Sequence, residues 1–270
     1  MRKLVLFFLF LGFLFGCQDV IEVEVPTDSP RLVIDAVVRI DDLEQSNTIL
    51  TVKASETSSF FGEITPAQLN TILIENSASN FSMVLVEEVA GSGIYLAEVP
   101  TTELTAGPLR LSIDYNGQSY QAETSFVPSV PIDELRQGTT TLFGDETEII
   151  LSFTDIPDSV DFYLFDFDFD QYLVSEDTFY PGQSFQFSYF YDEDLEPQNI
   201  VNVSILGIDE QFYNYMNQVI VQSGGDQGPF QTPSATVKGN IVNNTDPENF
   251  ALGYFAVCQT FTESLEIAEN

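Results

Sequence analysis

Histidine and tryptophan are both absent from the 270 residues. Without an imidazole, Ser-His-Asp and Cys-His nucleophilic chemistry and His-ligated zinc are excluded together. Positive charge is scarce: eight Lys and Arg face 42 Asp and Glu, for a formal net charge of −34. Nucleic-acid binding relies on clustered Lys and Arg to displace counterions from phosphates, so nucleic acid is excluded as a partner. Electrostatic docking on an anionic lipid surface is disfavoured for the same reason. Missing too is any apolar run of the roughly 20 residues that a membrane-crossing helix requires. The longest stretch without a polar side chain is Leu4 to Phe15, twelve residues. Cysteine occurs only at Cys17 and Cys258, and no Gly-rich phosphate loop sits between a strand and a helix.

Arg2 and Lys3 precede the Leu4–Phe15 run, which is the pattern of a secretory signal. Leu14-Phe15-Gly16-Cys17 is similar to the box read by bacterial lipoprotein peptidases, although Phe15 stands where a small residue is commoner. That resemblance implies a signal peptide over 1–16, cleavage before Cys17, and acylation of its sulfur and new amino group with palmitate-type chains. At about 0.8 kcal/mol per buried methylene, two or more such chains give stable anchoring. The competing reading is an ordinary cleaved signal with an incidental cysteine. Once Arg2 and Lys3 are removed, six basic residues face 42 acidic ones, a charge of −36. Acylation of Cys17 leaves Cys258 with no disulfide partner, and its apolar surroundings suit a small buried hydrophobe.

Residues 17–30 read as an acidic tether. Asp19, Glu22 and Glu24 loosely resemble the export signal of surface lipoproteins in Bacteroidota, with simple solvation of a linker as the alternative. From Arg31 onward the chain breaks into short apolar-alternating segments: Leu32–Val38, Thr48–Lys53, Thr71–Glu75, Met83–Glu88, Ile94–Glu98, Leu109–Tyr115 and Ser119–Phe126. Asn116-Gly117 is the strongest hairpin signal, because both central residues of a type I′ turn need positive φ. Seven strands in about a hundred residues predict an immunoglobulin-like sandwich over 31–127. Val127-Pro128-Ser129-Val130-Pro131 marks a stiff connector, assigned to 128–131.

A second sandwich is predicted over 132–262, followed by a tail at 263–270. Its expected strands are Glu148–Phe153, Asp161–Asp170, Phe185–Tyr191, Ile200–Leu206, Ala235–Ile241 and Leu252–Thr260. One helix is expected at 209–222, where Phe212, Tyr215, Met216 and Val219 recur at helical spacing, with acidic residues at its start and Gly224 at its end. The fold class is therefore all-β: tandem immunoglobulin-like β-sandwiches, the second with one inserted α-helix. High negative charge with few aromatics would read as disorder, but 24 Phe and 44% apolar content argue for a packed body.

Between Gln137 and Val237 there is no Lys or Arg. Within that stretch lies Phe165-Asp166-Phe167-Asp168-Phe169-Asp170, which as a strand sets three Phe on one face and three Asp on the other. Asp166, Asp168 and Asp170 are thus a candidate calcium site, since hard cations take several oxygen ligands. A solvated outer face and a docking surface for a basic partner remain open alongside it. Asp192-Glu193-Asp194 is a second acidic cluster, expected in a loop. Paired carboxylates can hydrolyse glycosides at about 5–9.5 Å separation, but with this many acids chance pairs carry no weight.

In order along the chain stand Val25-Pro26, Leu32-Val33-Ile34-Asp35-Ala36, Pro131-Ile132-Asp133, Phe212-Tyr213-Asn214-Tyr215, Gly228-Pro229-Phe230, Gly239-Asn240-Ile241 and Leu252-Gly253-Tyr254-Phe255. Together with the leader they resemble the Bacteroidota outer-membrane lipoproteins of domain-of-unknown-function family 4249. The resemblance implies a non-enzymatic accessory (binding or assembly) subunit of a SusC-like TonB-dependent β-barrel transporter, anchored in the outer membrane through Cys17 and exposed at the cell surface or the periplasmic face. It transfers no catalytic residue and no cofactor. Gly239, Asn240 and Gly253 are candidate partner contacts, with turn formation and tight strand packing as the alternative. A stand-alone surface protein capturing glycans or peptides is the rival reading, and a carboxylate-based hydrolase is a third.

Overall fold

The computed structural model describes residues 29–59, 62–142, 144, 146–191, 195–225 and 236–269. The leader, Cys17 and nearly all of the tether lie outside these residues, as do Asp192-Glu193-Asp194 and Gly228-Pro229-Phe230.

Among the described residues, seventeen strands form the body. The first nine are β1 (Leu32–Ile40), β2 (Asn47–Glu56), β3 (Thr65–Pro66), β4 (Thr71–Asn76), β5 (Phe81–Val84), β6 (Val86–Glu87), β7 (Ile94–Pro100), β8 (Pro108–Tyr115) and β9 (Gln118–Val127). The rest are β10 (Ile132–Gln137), β11 (Thr147–Thr154), β12 (Phe162–Asp166), β13 (Tyr172–Glu176), β14 (Ser184–Tyr191), β15 (Ile200–Ile208), β16 (Val242–Asn243) and β17 (Leu252–Glu266). A one-turn helix α1 (Thr101–Thr105) joins β7 to β8, and α2 (Glu210–Ile220) follows β15.

Strict alternation builds the first core. Leu32, Ile34, Ala36, Val38 and Ile40 of β1 all point inward against Leu50 and Val52 of β2, Ile72 and Ile74 of β4, and Leu109, Leu111 and Ile113 of β8. The strands run β5-β4-β8-β9 on one side and β17-β1-β2-β7-β6 on the other, joined where Val257 and Cys258 pair with Phe126 and Val127. Asn116 and Gly117 both take positive φ, at 49° and 73°, and Tyr115 pairs with Gln118 as a two-residue hairpin requires. Asn76, fully buried, donates to the carbonyls of Glu103 and Ala106 and so satisfies the otherwise orphaned end of α1.

The second core lies between β10-β11-β14 and a layer formed by β13, β12, β15 and the second half of β17. It is aromatic. Phe153 meets Tyr163, Phe165, Tyr180 and Phe185 at centroid distances of 5.4–6.1 Å, mostly edge to face, and Phe167 stacks on Tyr189 at 3.8 Å.

Strand β17 is the element the sequence reading divided wrongly. It pairs in parallel with β1 from Leu252 to Gln259, then antiparallel with β15 from Thr260 to Glu266. Ile241, Ala251, Phe255 and Val257 belong to the first core, although the linear division placed them in the second domain. The supposed tail from residue 263 is strand as far as Glu266, and Ile267 is buried in the second core. A run buried on both faces loses its alternation, so 254–258 gives no clue to which sheet it serves. The connector at 128–131 is packed as well: Ser129 donates its hydroxyl to the Ile205 carbonyl, and Val130 enters the second core. The expected strand at Ala235–Ile241 is absent from its described part, Thr236–Ile241.

Helix α2 forms where the aromatic spacing indicates. Asp209 caps it, its carboxylate accepting from the Phe212 amide at 2.7 Å. Gly224 at φ 104° lies in the turn beyond it. The helix lies on the outer face of β12, β15 and β17, making a third apolar cluster from Leu164, Leu206, Ile208, Phe212, Tyr254, Ala256 and Cys258.

Candidate functional site

Where α2 stops short of covering β1, a cleft of about 540 Å³ remains. One wall is the outer face of β1 and β2: Val33, Asp35, Val37 and Arg39, with Thr51 and Lys53 beside them. Period-2 alternation puts these residues there, since the intervening positions fill the first core. The opposite wall is Phe212, Tyr215 and Met216 of α2 with Leu164 and Tyr172, and Gly253 and Tyr254 of β17 complete the lining.

The charges in the cleft are unevenly satisfied. Arg39 donates to Asp166 at 2.7 Å. Asp35 and Lys53 are cross-strand register partners on one face, both exposed, yet no carboxylate of the described residues lies within 4.0 Å of the Lys53 ammonium. The other basic side chains of the body are engaged: Arg110 with Glu123, Arg136 with Glu134, and Arg31 and Lys238 over the Phe250 ring. Two of the body's six basic residues therefore line this one cleft.

Aromatic surface is the other half of its chemistry. Tyr254 stacks on Phe212 at 4.5 Å and lies 4.9 Å from Tyr215. The Tyr254 hydroxyl is buried and has no hydrogen-bond partner among the described residues, and burial raises the phenol's pKa above its ordinary value, as it does for Tyr172 and Tyr215. These phenols stay neutral across the physiological range and serve as ring surfaces and donors. Among the described residues, Asp35 is the one carboxylate in the lining, with Asp166 held just beyond it on Arg39.

The candidate contact residues Gly239, Asn240 and Gly253 come together, but they are used internally. A Cβ on Gly239 would sit 1.6 Å from the Gly253 carbonyl oxygen, and one on Gly253, at φ 93°, would sit 1.9 Å from that of Ile34. Asn240 accepts from the Phe255 amide at 2.9 Å and donates to the Phe255 carbonyl at 2.8 Å and the Glu123 carbonyl at 3.2 Å. Its side chain acts as a substitute peptide in the gap where β9 and β17 diverge. Packing, the alternative reading for this trio, explains them.

Asp166, Asp168 and Asp170 do not converge. β12 ends at Asp166, and Asp168, Phe169 and Asp170 all take positive φ, at 66°, 50° and 59°. The turn rotates the side chains out of the expected two-face arrangement and leaves Phe169 exposed. Asp166 is bound to Arg39 and accepts from the Asp168 amide, while Asp168 accepts from the Asn202 backbone and side chain. Three consecutive left-handed residues, none of them glycine, could not be read from an unbroken Phe-Asp alternation. Cys258 is buried, and burial pushes its thiol up to about 12.

A family model described as "Domain of unknown function (DUF4249)" matches residues 18–264. The chain belongs to the DUF4249 family. The match runs through both cores and the long last strand. No curated protein matches this DUF4249 chain. Among solved structures it is similar to one titled "Crystal structure of bovine butyrophilin", at 8% identity and a TM-score of 0.21, over 68% of this chain and 93% of the other.

Proposed function

We propose that the protein is a non-enzymatic binding lipoprotein, held at the outer membrane through Cys17 and working as an accessory subunit of a SusC-like β-barrel transporter. The observation that carries the binding part is the cleft against α2. It combines ring surface from Tyr172, Tyr215 and Tyr254 with the Lys53 ammonium and the Arg39 guanidinium, in a chain otherwise almost devoid of positive charge. Such a lining suits a small ligand with an apolar or ring body and an anionic group. The anchor rests on the leader and its cysteine, since no helix among the described residues is long and apolar enough to cross a membrane.

Affinity purification of the tagged full chain from detergent tests the transporter partnership. A β-barrel protein is expected to accompany it in stoichiometric amount. Recovery of the lipoprotein alone would favour the rival reading, a stand-alone capture protein using the same cleft. Cys17→Ala is expected to move the chain from the membrane to the soluble fraction, and retention in the membrane would overturn the anchor.

A further inference from the structure

At one end of the second sandwich three carboxylates meet. Asp155 follows β11, Asp161 immediately precedes β12, and Asp177 immediately follows β13. One carboxylate oxygen from each lies within 4.8 Å of the other two. Asp155 and Asp177 are each only 3% exposed, and Asp161 is partly buried. Among the described residues the buried Asp177 Oδ2 atom has no hydrogen-bond partner, so one carboxylate oxygen of the cluster's residues is left without a donor.

The surroundings supply donors but no countercharge. Tyr163 donates its hydroxyl to Asp155 Oδ1 at 2.6 Å, the Gly182 amide donates to Asp155 Oδ2 at 2.8 Å, and Ser159 donates to Asp161 Oδ2 at 2.5 Å. No Lys or Arg occurs between Gln137 and Val237, and every ion pair among the described residues lies elsewhere. Buried anions with neither a cation nor a full set of donors are strongly unfavourable.

We propose that Asp155, Asp161 and Asp177 form a calcium site that ties together the ends of β11, β12 and β13. All three ligands are hard oxygens, as calcium prefers. An ion equidistant from three oxygens 4.8 Å apart would lie about 2.8 Å from each, so small side-chain rotations, with the strands in place, bring all three to the about 2.3–2.6 Å that calcium takes. One dication offsets two of the three negative charges that the trio carries when it binds as carboxylates. The donors already present hold Asp155 and Asp161 in place, which is the orienting shell that oxygen ligands need. The site is distinct from Asp166, Asp168 and Asp170, and it is independent of the transporter reading.

The test uses the full chain in detergent, stripped with EGTA and titrated with calcium chloride by calorimetry and by thermal melting. One calcium per chain is expected. At about 100 times the dissociation constant, the midpoint should rise by roughly 5–10 °C for a chain of this size. Asp177→Asn and Asp155→Asn should abolish both signals, while Asp170→Asn should retain them. Asp177→Asn removes a repelling charge, so in EGTA it should melt no lower than the parent chain. Should it fail to fold, Asp161→Asn at the partly buried position takes its place. An unchanged midpoint with no binding heat would overturn the site in favour of a shared proton. Calcium binding that survives Asp177→Asn would overturn it in favour of the general acidic surface. Magnesium shifting the midpoint as far as calcium would overturn the choice of ion.

Discussion

Replacing Asn240 by alanine separates its two readings, as a packing device or as a partner contact. The side chain makes three hydrogen bonds to main chain, two of them to Phe255, which is fully buried. With alanine, the Phe255 amide and carbonyl lose these partners on that side, in a gap that the methyl group does not fill. An unsatisfied buried polar group costs about 1–3 kcal/mol, so two of them predict a loss of roughly 2–6 kcal/mol. Asn240→Asp should be no milder: it keeps an acceptor for the Phe255 amide but turns a carboxylate oxygen toward the Phe255 and Glu123 carbonyls. Denaturant unfolding followed by tyrosine fluorescence is the natural assay, since tryptophan is absent. Asn240→Ala within about 0.5 kcal/mol of the parent chain, the range of ordinary surface substitutions, would refute the packing argument. Loss of a co-purifying partner at unchanged stability would restore the partner reading.

Gly253→Ala is expected to be severe, because φ is 93° and the new methyl would collide with the Ile34 backbone. Gly117→Ala at φ 73° meets nothing within 4 Å and should cost only about 1–2 kcal/mol of left-handed strain; equal costs in urea melts would contradict the close-approach account. Tyr254→Phe removes an unpartnered buried hydroxyl, so the unliganded chain should be unchanged or stabilised by about 1 kcal/mol, and a loss above that would mean the hydroxyl is satisfied. Cys258, buried with its thiol at about 12, should resist a thiol reagent at pH 8 until denaturant is added; rapid labelling of the native chain would show that β17 opens locally.

Local patterns were legible where one face of a segment meets water. β1, β2, β4, β8 and β9 alternate cleanly, Asn116-Gly117 announces its hairpin, and the Phe212, Tyr215 and Met216 spacing marks α2. What was not legible depends on long-range pairing. β10 and β13 carry few buried positions and so little periodic signal. The cleft draws on five separate strands and one helix, and no spacing within a single segment encodes that meeting. The acidic trio shows the same limit from the other side. Asp166, Asp168 and Asp170 stand out because they are close in sequence, whereas Asp155, Asp161 and Asp177 are spread over 23 positions and meet only because three strand ends converge.

The course of β17 bears on how the cleft works. Its first half completes the sheet that carries β1, its second half completes the sheet that carries β12, and Tyr254 on its outer face lies under α2. Both walls of the cleft are therefore fixed to one continuous strand. The connector cannot act as a hinge either, because Ser129 bonds to Ile205 and Gln259 and a Cβ on Gly207 would strike the Pro128 carbonyl. A ligand entering the cleft meets a largely preformed surface and loses little free energy to ordering it. Of the two lining cations, Arg39 is held by Asp166, while Lys53 has no ion-pair partner among the described residues and is free to meet a ligand. Ligand-induced change is thus expected at the Lys53 side chain, with the strand pairing that builds both walls kept.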